Sequence, residues 1–198
     1  KTMAWVGTHN GIYTISLQQE KIMDHYTTAD GILASNDINF IFSDPYGLKW
    51  VGTQAGVVRI ENKKWKLYEK DQAVTAITWT SDGAWIAADS NMWMVDQFNR
   101  WFTIDTWKEL SQGRVKALSS DGKGLIYIAS DILVKYDPWE EKIVTMGEGS
   151  NEDQMILLSQ GPSKSVWMAG ANGLAKVIED TTKIVKPVAK GDDMAIIV

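Results

Sequence analysis

The chain has 198 residues, of which 44% are hydrophobic and 23% are charged, and its net charge is −5. A chain of this length and balance buries a sizeable core, and because it has no cysteine, disulfides, thiolate metal sites and cysteine nucleophiles are excluded. The acidic charge excludes the basic surface that nucleic acids and anionic membranes require, and the longest uncharged stretch is too polar to span a membrane.

The predicted elements begin with a short pattern that recurs along the whole chain. Trp5-Val6-Gly7-Thr8 combines an aromatic, an aliphatic and two small residues. Five copies of this pattern begin at Trp5, Trp50, Trp85, Tyr127 and Trp167. Their spacing of about 40 residues is typical of a propeller blade with four antiparallel strands. We therefore predict an all-β propeller with five blades.

The order of predicted strands is the same in each complete repeat. An apolar first strand begins at Ile38, Val74, Val115 and Met155. A turn containing glycine or proline then leads into the aromatic strand, a short loop leads to a third strand, and a polar hairpin leads to a fourth. The predicted repeats are about 1–26 with 194–198, 37–68, 73–103, 115–145 and 155–187.

The two ends of the chain are out of phase with this repeat. Only four residues precede Trp5, so the N-terminal repeat lacks its first strand, whereas 194–198 resembles a first strand with no second strand after it. We expect Met194 to Val198 to complete the N-terminal blade and close the ring, because closure removes exposed sheet edges. The whole chain, 1–198, is then one domain, with further blades in the ring if it is part of a longer chain.

The aromatic and glycine residues of the repeat have predicted packing roles. We expect the five aromatics that begin the copies to wedge between neighbouring blades, and Gly7, Gly52 and Gly170 to permit close approach of the sheets. Trp65, Trp101 and Trp139 are expected to cover the outer strand. Trp107, in a long loop, is then the one tryptophan predicted to contact a ligand.

The second repeat resembles a known family. The run from Asp44 to Ile60 is similar to the two-component regulator propeller repeat, whose pattern is Asp, Gly, Leu-Trp-hydrophobic-Gly-Thr, Gly, Leu and Arg-Tyr. Trp5 to Tyr13 matches the second half of that pattern, and Asn36-Asp37-Ile38 resembles its linker. The resemblance implies a bacterial propeller in the periplasm or outside the cell, where such repeats commonly form the sensing half of a hybrid two-component system for signal transduction.

Candidate binding residues lie in loops that share one edge of every blade. These are the loops between the second and third strands and the links between repeats. They supply His9, Asn10, Gln54, Asp89, Asn91, Trp107, Arg114, Asp131 and Asn172. Amides and carboxylates suit a carbohydrate, another polar small ligand, or a protein partner. The alternative is that these residues are solvated loop residues with no ligand.

The types and spacing of the polar residues favour recognition over catalysis. His9 and His25 are the two histidines, and Asp44, Asp82 and Asp121 stand in turn motifs, so we predict no catalytic residue, no metal and no cofactor. The predicted function is a non-enzymatic recognition propeller of a sensor. One alternative is a structural scaffold in a cell-surface or secretion assembly. A second alternative is a lyase that uses His9, because propeller lyases of the streptogramin type use a histidine base.

Overall fold

A computed structural model describes residues 3–69, 71–89, 91–111, 113–146, 155–160, 165–170, 173–178 and 181–186. Within these ranges the chain is almost entirely β-structure, in five antiparallel sheets whose strands follow one another in chain order. The predicted all-β class with antiparallel four-stranded sheets is confirmed.

The sheets are numbered in chain order. Sheet 1 has three described strands, β1 (Met3–Thr8), β2 (Gly11–Ser16) and β3 (Lys21–Tyr26). Sheet 2 has β4 (Ile38–Ser43), β5 (Lys49–Thr53), β6 (Gly56–Glu61) and β7 (Lys64–Glu69). Sheet 3 has β8 (Val74–Thr80), β9 (Gly83–Ala88), β10 (Met92–Asp96) and β11 (Trp101–Thr103).

The two remaining sheets follow the same order. Sheet 4 has β12 (Ala117–Ser120), β13 (Ile126–Ala129), β14 (Leu133–Asp137) and β15 (Lys142–Thr145). Sheet 5 has β16 (Met155–Gln160), β17 (Val166–Gly170), β18 (Gly173–Ile178) and β19 (Thr181–Lys186). A 3-10 helix (Thr28–Asp30) precedes sheet 2, and a short helix α1 (Trp107–Leu110) precedes sheet 4. The strand predicted to close the ring, 194–198, lies outside the described residues.

The chain divides into two compact units. Unit 1 comprises 1–77 and 86–90, and unit 2 comprises 78–85 and 91–198. In unit 1, Ile12, Val51 and Val58 are fully buried, and the rings of Trp5 and Trp65 pack against this core. Trp50 to Thr53 of β5 are all buried, and because successive side chains point to opposite faces of a sheet, both faces of this strand are covered.

Glycine in the repeat permits close approach between sheets of unit 1. A Cβ built on Gly7 in β1 would lie 2.5 Å from Ile38 Cγ2 in β4, and one on Gly52 in β5 would lie 2.8 Å from Val74 Cγ1. Any larger residue at these positions would push the neighbouring strand away. Gly170 ends β17, and its surroundings lie outside the described side chains.

The aromatics of the repeat bridge neighbouring sheets within each unit. In unit 1, the Trp5 ring of sheet 1 is 5.9 Å from the Trp65 ring of sheet 2. In unit 2, Trp85 meets Tyr136 of sheet 4 edge-on at 6.1 Å, and Tyr127 packs with residues of sheet 5. For Trp5, Trp85 and Tyr127, three of the five aromatics, these contacts are the wedges expected from the sequence.

Two tryptophans differ from their predicted positions. Trp139 lies at the tip of the β14–β15 hairpin with 75% of its surface exposed, so it does not cover an outer strand. The hairpin turns at 138–141, and the side chain therefore projects beyond the end of the sheet. Trp107 begins helix α1, where the sequence indicated an irregular loop, and the buried side chain of Leu110 anchors this helix to the core.

Candidate functional site

The predicted site residues belong to one edge of each sheet, which we call the loop edge. In a four-stranded sheet it is formed by the loop between the second and third strands, such as β5–β6 in sheet 2, and by the link that enters the next sheet. In sheet 1 the corresponding loop is β1–β2. In unit 1 the two are joined by backbone hydrogen bonds, from Gly11 N to Asn36 O (2.7 Å) and from Gln54 N to Asp37 O (3.1 Å). His9, Asn10, Gln54 and Asp89 lie on the loop edge of unit 1. Asn91, Trp107, Arg114 and Asp131 belong to unit 2, and Asn172 lies outside the described residues.

The threonine of the repeated Gly-Thr pair closes the loop that carries the candidate residues. Thr8 Oγ1 donates to Gly11 O (2.9 Å) and accepts from Asn10 N (3.0 Å). Thr53 makes the same pair of bonds in sheet 2, to Gly56 O (2.9 Å) and from Ala55 N (3.2 Å). A hydroxyl that satisfies two backbone groups fixes the turn, so the side chains on it have defined positions.

His9 extends from this turn toward the link that precedes sheet 2. Its Nδ1 is hydrogen-bonded to Asp37 Oδ1, although the His9 side chain is 94% exposed. Asp37 was not among the predicted residues. It stands 28 residues from His9 in the chain, and only the fold brings the two side chains together.

Gln54 is positioned by a chain of amides. Its Nε2 donates to Asn39 Oδ1 (3.0 Å), and Asn39 Nδ2 donates to Val74 O (2.9 Å) at the start of β8. Asn39 interrupts an apolar strand in the sequence, and that interruption is a signal that could have identified it. Nearby, the backbone N–H of Asp89 donates to Ala73 O (3.1 Å), which ties the Asp89 loop to the same end of sheet 3.

Asn10 is supported by the outer strand of sheet 1. His25 Nε2 donates to Asn10 O (2.6 Å), and the His25 ring stacks on Tyr13 with centroids 4.0 Å apart and planes 4° apart. Asn10 Nδ2 lies 3.4 Å from the Tyr13 hydroxyl. His25 lies on β3, the last strand of sheet 1, and it supports the loop that carries His9.

The link from sheet 1 to sheet 2 is itself ordered by side chains. Asp30 Oδ2 accepts hydrogen bonds from Thr27 N (2.7 Å) and Thr27 Oγ1 (3.2 Å), and Asn36 Oδ1 accepts from Thr28 N (2.7 Å).

Burial raises the pKa of the Tyr26 hydroxyl, and the carboxylates of Asp24 and Asp30 raise it further. Tyr26 is therefore neutral at physiological pH.

The loop edge of unit 2 contains an ion pair. Lys116 Nζ lies 3.3 Å from Asp131 Oδ1, and both side chains are partly exposed. Asp131 also packs on Gly113, where a Cβ would come within 2.2 Å of its Oδ2. Arg114 is exposed and Asn91 is half-buried. Lys116 was not among the predicted site residues. It directly precedes β12, the first strand of sheet 4, just as Asp37 directly precedes β4, the first strand of sheet 2.

The described residues include no group of three or more histidine or acidic side chains that could hold a metal ion. In that part of the chain, no helix is long and apolar enough to cross a membrane.

A scan against protein-family models found no match to this chain. A search of curated proteins found no relative. Among solved structures, the chain is similar to the extracellular domain of a hybrid two-component system from B. thetaiotaomicron, with a TM-score of 0.71 and 18% identity. That match covers 87% of this chain and 25% of the other, so the chain spans about a quarter of the length of that domain.

Two further solved structures are similar in fold. One is a catalytically inactive histidine-to-alanine variant of virginiamycin B lyase from Staphylococcus aureus with quinupristin (TM-score 0.70, 13% identity, 91% of this chain and 65% of that chain). The other is PorZ, a surface component of the type-IX secretion system of Porphyromonas gingivalis (TM-score 0.62, 12% identity, 94% and 25%). At these identities the likeness shows a propeller-like fold. The expected likeness to extracellular domains of two-component sensors is confirmed as a likeness of fold.

Proposed function

We propose that this chain is a non-enzymatic recognition module, an extracytoplasmic bacterial propeller whose loop edge binds a polar ligand or partner. The observation that supports this best is that exposed polar side chains on the loop edge of unit 1 are held in place. His9 is bonded to Asp37, and Gln54 is bonded to Asn39. Groups that are already positioned lose little conformational entropy when a ligand binds.

The proposed ligand is a carbohydrate or another small molecule rich in hydroxyl groups. The amides of Gln54 and Asn10 can donate to and accept from such hydroxyls, and the carboxylate of Asp37 can accept from them. The proposed compartment is the periplasm or the cell exterior, which the likeness to an extracellular sensor domain supports. In the full architecture that we propose, 1–198 forms one domain with five blades, and 194–198 completes the first of them.

The experiment that tests this proposal starts from a glycan array and a thermal-shift screen of metabolites with the full chain. For any hit, Gln54→Ala should weaken binding about tenfold, because it removes an exposed amide and its bond to Asn39. Asp37→Asn should weaken binding to a similar degree while keeping the shape of the side chain.

The matched control is Gln18→Ala, which removes an exposed amide from the β2–β3 turn at the opposite end of sheet 1. Binding should be unchanged in this variant. A ligand whose affinity falls equally in Gln54→Ala and Gln18→Ala, or in neither, would contradict recognition by the loop edge.

A scaffold role has one observation in its favour. Leu17, Ile22 and Met23 expose much of their apolar surface on the β2–β3 hairpin of sheet 1, and such patches mark protein contacts. The scaffold role predicts that Ile22→Ser removes partners that co-purify from the source cells, while Gln54→Ala leaves them in place. The recognition role predicts that Ile22→Ser leaves ligand binding unchanged, whereas Gln54→Ala weakens it.

The hydrogen bond between His9 and Asp37 also permits a lyase, because a carboxylate that orients an imidazole is a common arrangement for a general base. We expect no conversion when the chain is incubated with quinupristin and a divalent cation and the products are followed by mass spectrometry. A product that forms with the unmodified chain and is lost in His9→Ala would establish the lyase instead.

A further inference from the structure

The hairpin between β10 and β11 presents two aromatic rings with a cation between them. Phe98 is 70% exposed and Phe102 is 42% exposed. The guanidinium carbon of Arg100 lies 5.3 Å from the centroid of the Phe98 ring and 5.8 Å from that of the Phe102 ring. The guanidinium is close to both rings, so the three side chains form one cluster. We call this set the Phe-Arg-Phe ladder.

Asp96 holds the ladder in shape. Its Oδ1 accepts hydrogen bonds from Phe98 N (2.9 Å) and Arg100 N (2.8 Å), and its Oδ2 accepts from Arg100 Nε (2.6 Å). The guanidinium is therefore anchored through Nε on one side. Its two Nη atoms make no hydrogen bond within the described part of the chain, and the Arg100 side chain is 66% exposed. The Nη side can therefore receive a planar anion without rearrangement.

The ladder lies beside an edge of sheet 3, because β11 is the last strand of that sheet among the described residues. Arg100 O accepts from Asp96 N, and Ile104 N donates to Met92 O, so these residues turn their backbone groups toward β10. In an antiparallel pair, successive residues of a strand turn their backbone groups alternately toward the partner strand and away from it, so Phe102 also faces β10 and Thr103 does not. The backbone of Thr103 therefore faces the open side, where an extended segment could pair.

We propose that the Phe-Arg-Phe ladder is an interaction surface for an extended segment of a protein partner that carries a carboxylate between apolar side chains. The carboxylate would accept two hydrogen bonds from the Nη atoms of Arg100, and the apolar side chains would cover the rings of Phe98 and Phe102. Aromatic residues and arginine are the residue types most enriched at the centres of protein interfaces. Asn91 precedes β10 and the ladder follows this strand, so the two lie at opposite ends of it, and this inference does not rest on the proposed function of the loop edge.

The test uses the full chain and four fluorescent heptapeptides in an anisotropy titration. The peptides alternate leucine with glutamate, leucine with glutamine, leucine with lysine, and glycine with glutamate. The peptide of leucine and glutamate should bind at least about tenfold more tightly than each of the others, because it alone supplies both the carboxylate and the apolar groups. Arg100→Gln, Arg100→Lys and Phe98→Ser should each weaken its binding about tenfold or more. Phe98→Ser keeps the charge, and Arg100→Lys keeps the charge but loses the two-pronged geometry.

Lys66→Gln is the matched control, because Lys66 is an exposed cation 5.0 Å from the Tyr68 ring on the outer strand of sheet 2. It removes the same charge and should leave binding unchanged, and a circular dichroism melt of every variant confirms that it is folded. Equal binding of the leucine–glutamate and glycine–glutamate peptides would overturn the proposal in favour of simple attraction of anions, including acidic polysaccharides. Equal loss in Lys66→Gln and Arg100→Gln would overturn it as well.

Discussion

Aspartate side chains build many of the turns in this protein. Asp44 Oδ1 accepts from Tyr46 N and Leu48 N, both at 2.9 Å, and Asp121 Oδ1 accepts from Lys123 N, Gly124 N and Leu125 N. A carboxylate that accepts several backbone N–H bonds is committed to the turn. These acids were predicted from their sequence motifs to be turn formers, and at Asp44 and Asp121 the structure supplies the bonds.

A second prediction at the residue scale concerns Gly83, which begins β9 with a φ of 150°. A Cβ at this position would lie 2.0 Å from Val95 O, a backbone atom that cannot move without shifting β10. We expect Gly83→Ala to lower the free energy of unfolding for two reasons. The unfavourable φ costs about 1–2 kcal/mol, and the clash with Val95 O costs about 1–3 kcal/mol more.

Gly47→Ala is the matched control for this variant. Gly47 also has a positive φ, 82°, but nothing lies within 4 Å of its Cβ position, so only the cost of the φ applies. Urea denaturation of both variants measures the difference. Equal losses in the two variants would show that the close approach of β10 to Gly83 has no energetic consequence.

At the scale of single elements, the hairpins of the sheets share a sequence pattern but differ in their side-chain contacts. The β10–β11 hairpin opens with Asp96 and closes with Arg100, while the β14–β15 hairpin opens with Asp137, whose Oδ1 accepts from Trp139 N (3.0 Å). In both hairpins the opening aspartate accepts a hydrogen bond from a backbone N–H of the hairpin tip. The first forms the Phe-Arg-Phe ladder, and the second exposes Trp139, because their tip residues differ.

The Asp96 hairpin should give the protein an acid-dependent component of stability. Desolvation alone would raise the pKa of the Asp96 carboxyl, but the backbone N–H of Arg100, its guanidinium and the backbone N–H of Phe98 together lower it. A lowered pKa in the folded state means that this contribution is complete above the ordinary carboxyl pKa and is lost as the pH falls through the folded-state pKa.

Asp96→Asn should therefore reduce the stability of the protein near neutral pH and flatten its dependence on pH below about pH 4. Denaturant midpoints between pH 3 and pH 7 measure both effects. Glu140→Gln, in the tip of the β14–β15 hairpin, is the control and should leave the pH profile unchanged. Identical acid profiles for Asp96→Asn and the unmodified chain would contradict the prediction.

At the scale of the whole molecule, the N-terminal sheet has one strand fewer than the other sheets in the part of the chain that the structure describes. Sheet 1 has β1 as an edge strand in its described residues, and Val6 in this strand is 39% exposed. The other four sheets each have four strands, and their first strand occupies the position that is open beside β1. This open edge is the place where the proposed closing strand, 194–198, would pair.

Deleting Met194 to Val198 should then destabilise the protein by about 3 kcal/mol or more, because the apolar side chains of this segment would be buried beside β1. The measurement is the melting temperature together with the urea midpoint. Lys190→Ser in the same tail is the control and should change neither. A melting temperature that the deletion leaves unchanged would refute closure of the ring by this strand.

The sequence by itself determined the repeat, the order of strands and the buried aromatics, because each depends on local alternation, turn chemistry and regular spacing. The strands that begin near Ile38, Val74 and Met155, the core position of Trp50 and the close approaches at Gly7 and Gly52 all follow from these local rules.

Only the tertiary structure decided which side chains meet. His9 pairs with Asp37 across 28 residues, Gln54 pairs with Asn39 across 15, and Trp139 projects from a hairpin tip instead of covering a strand. The repeat pattern predicts which strand a residue occupies. Contacts at the loop edge and at hairpin tips depend instead on how links of unequal length bring distant segments together. That geometry is set by the packing of whole sheets, and no local pattern in the chain contains it.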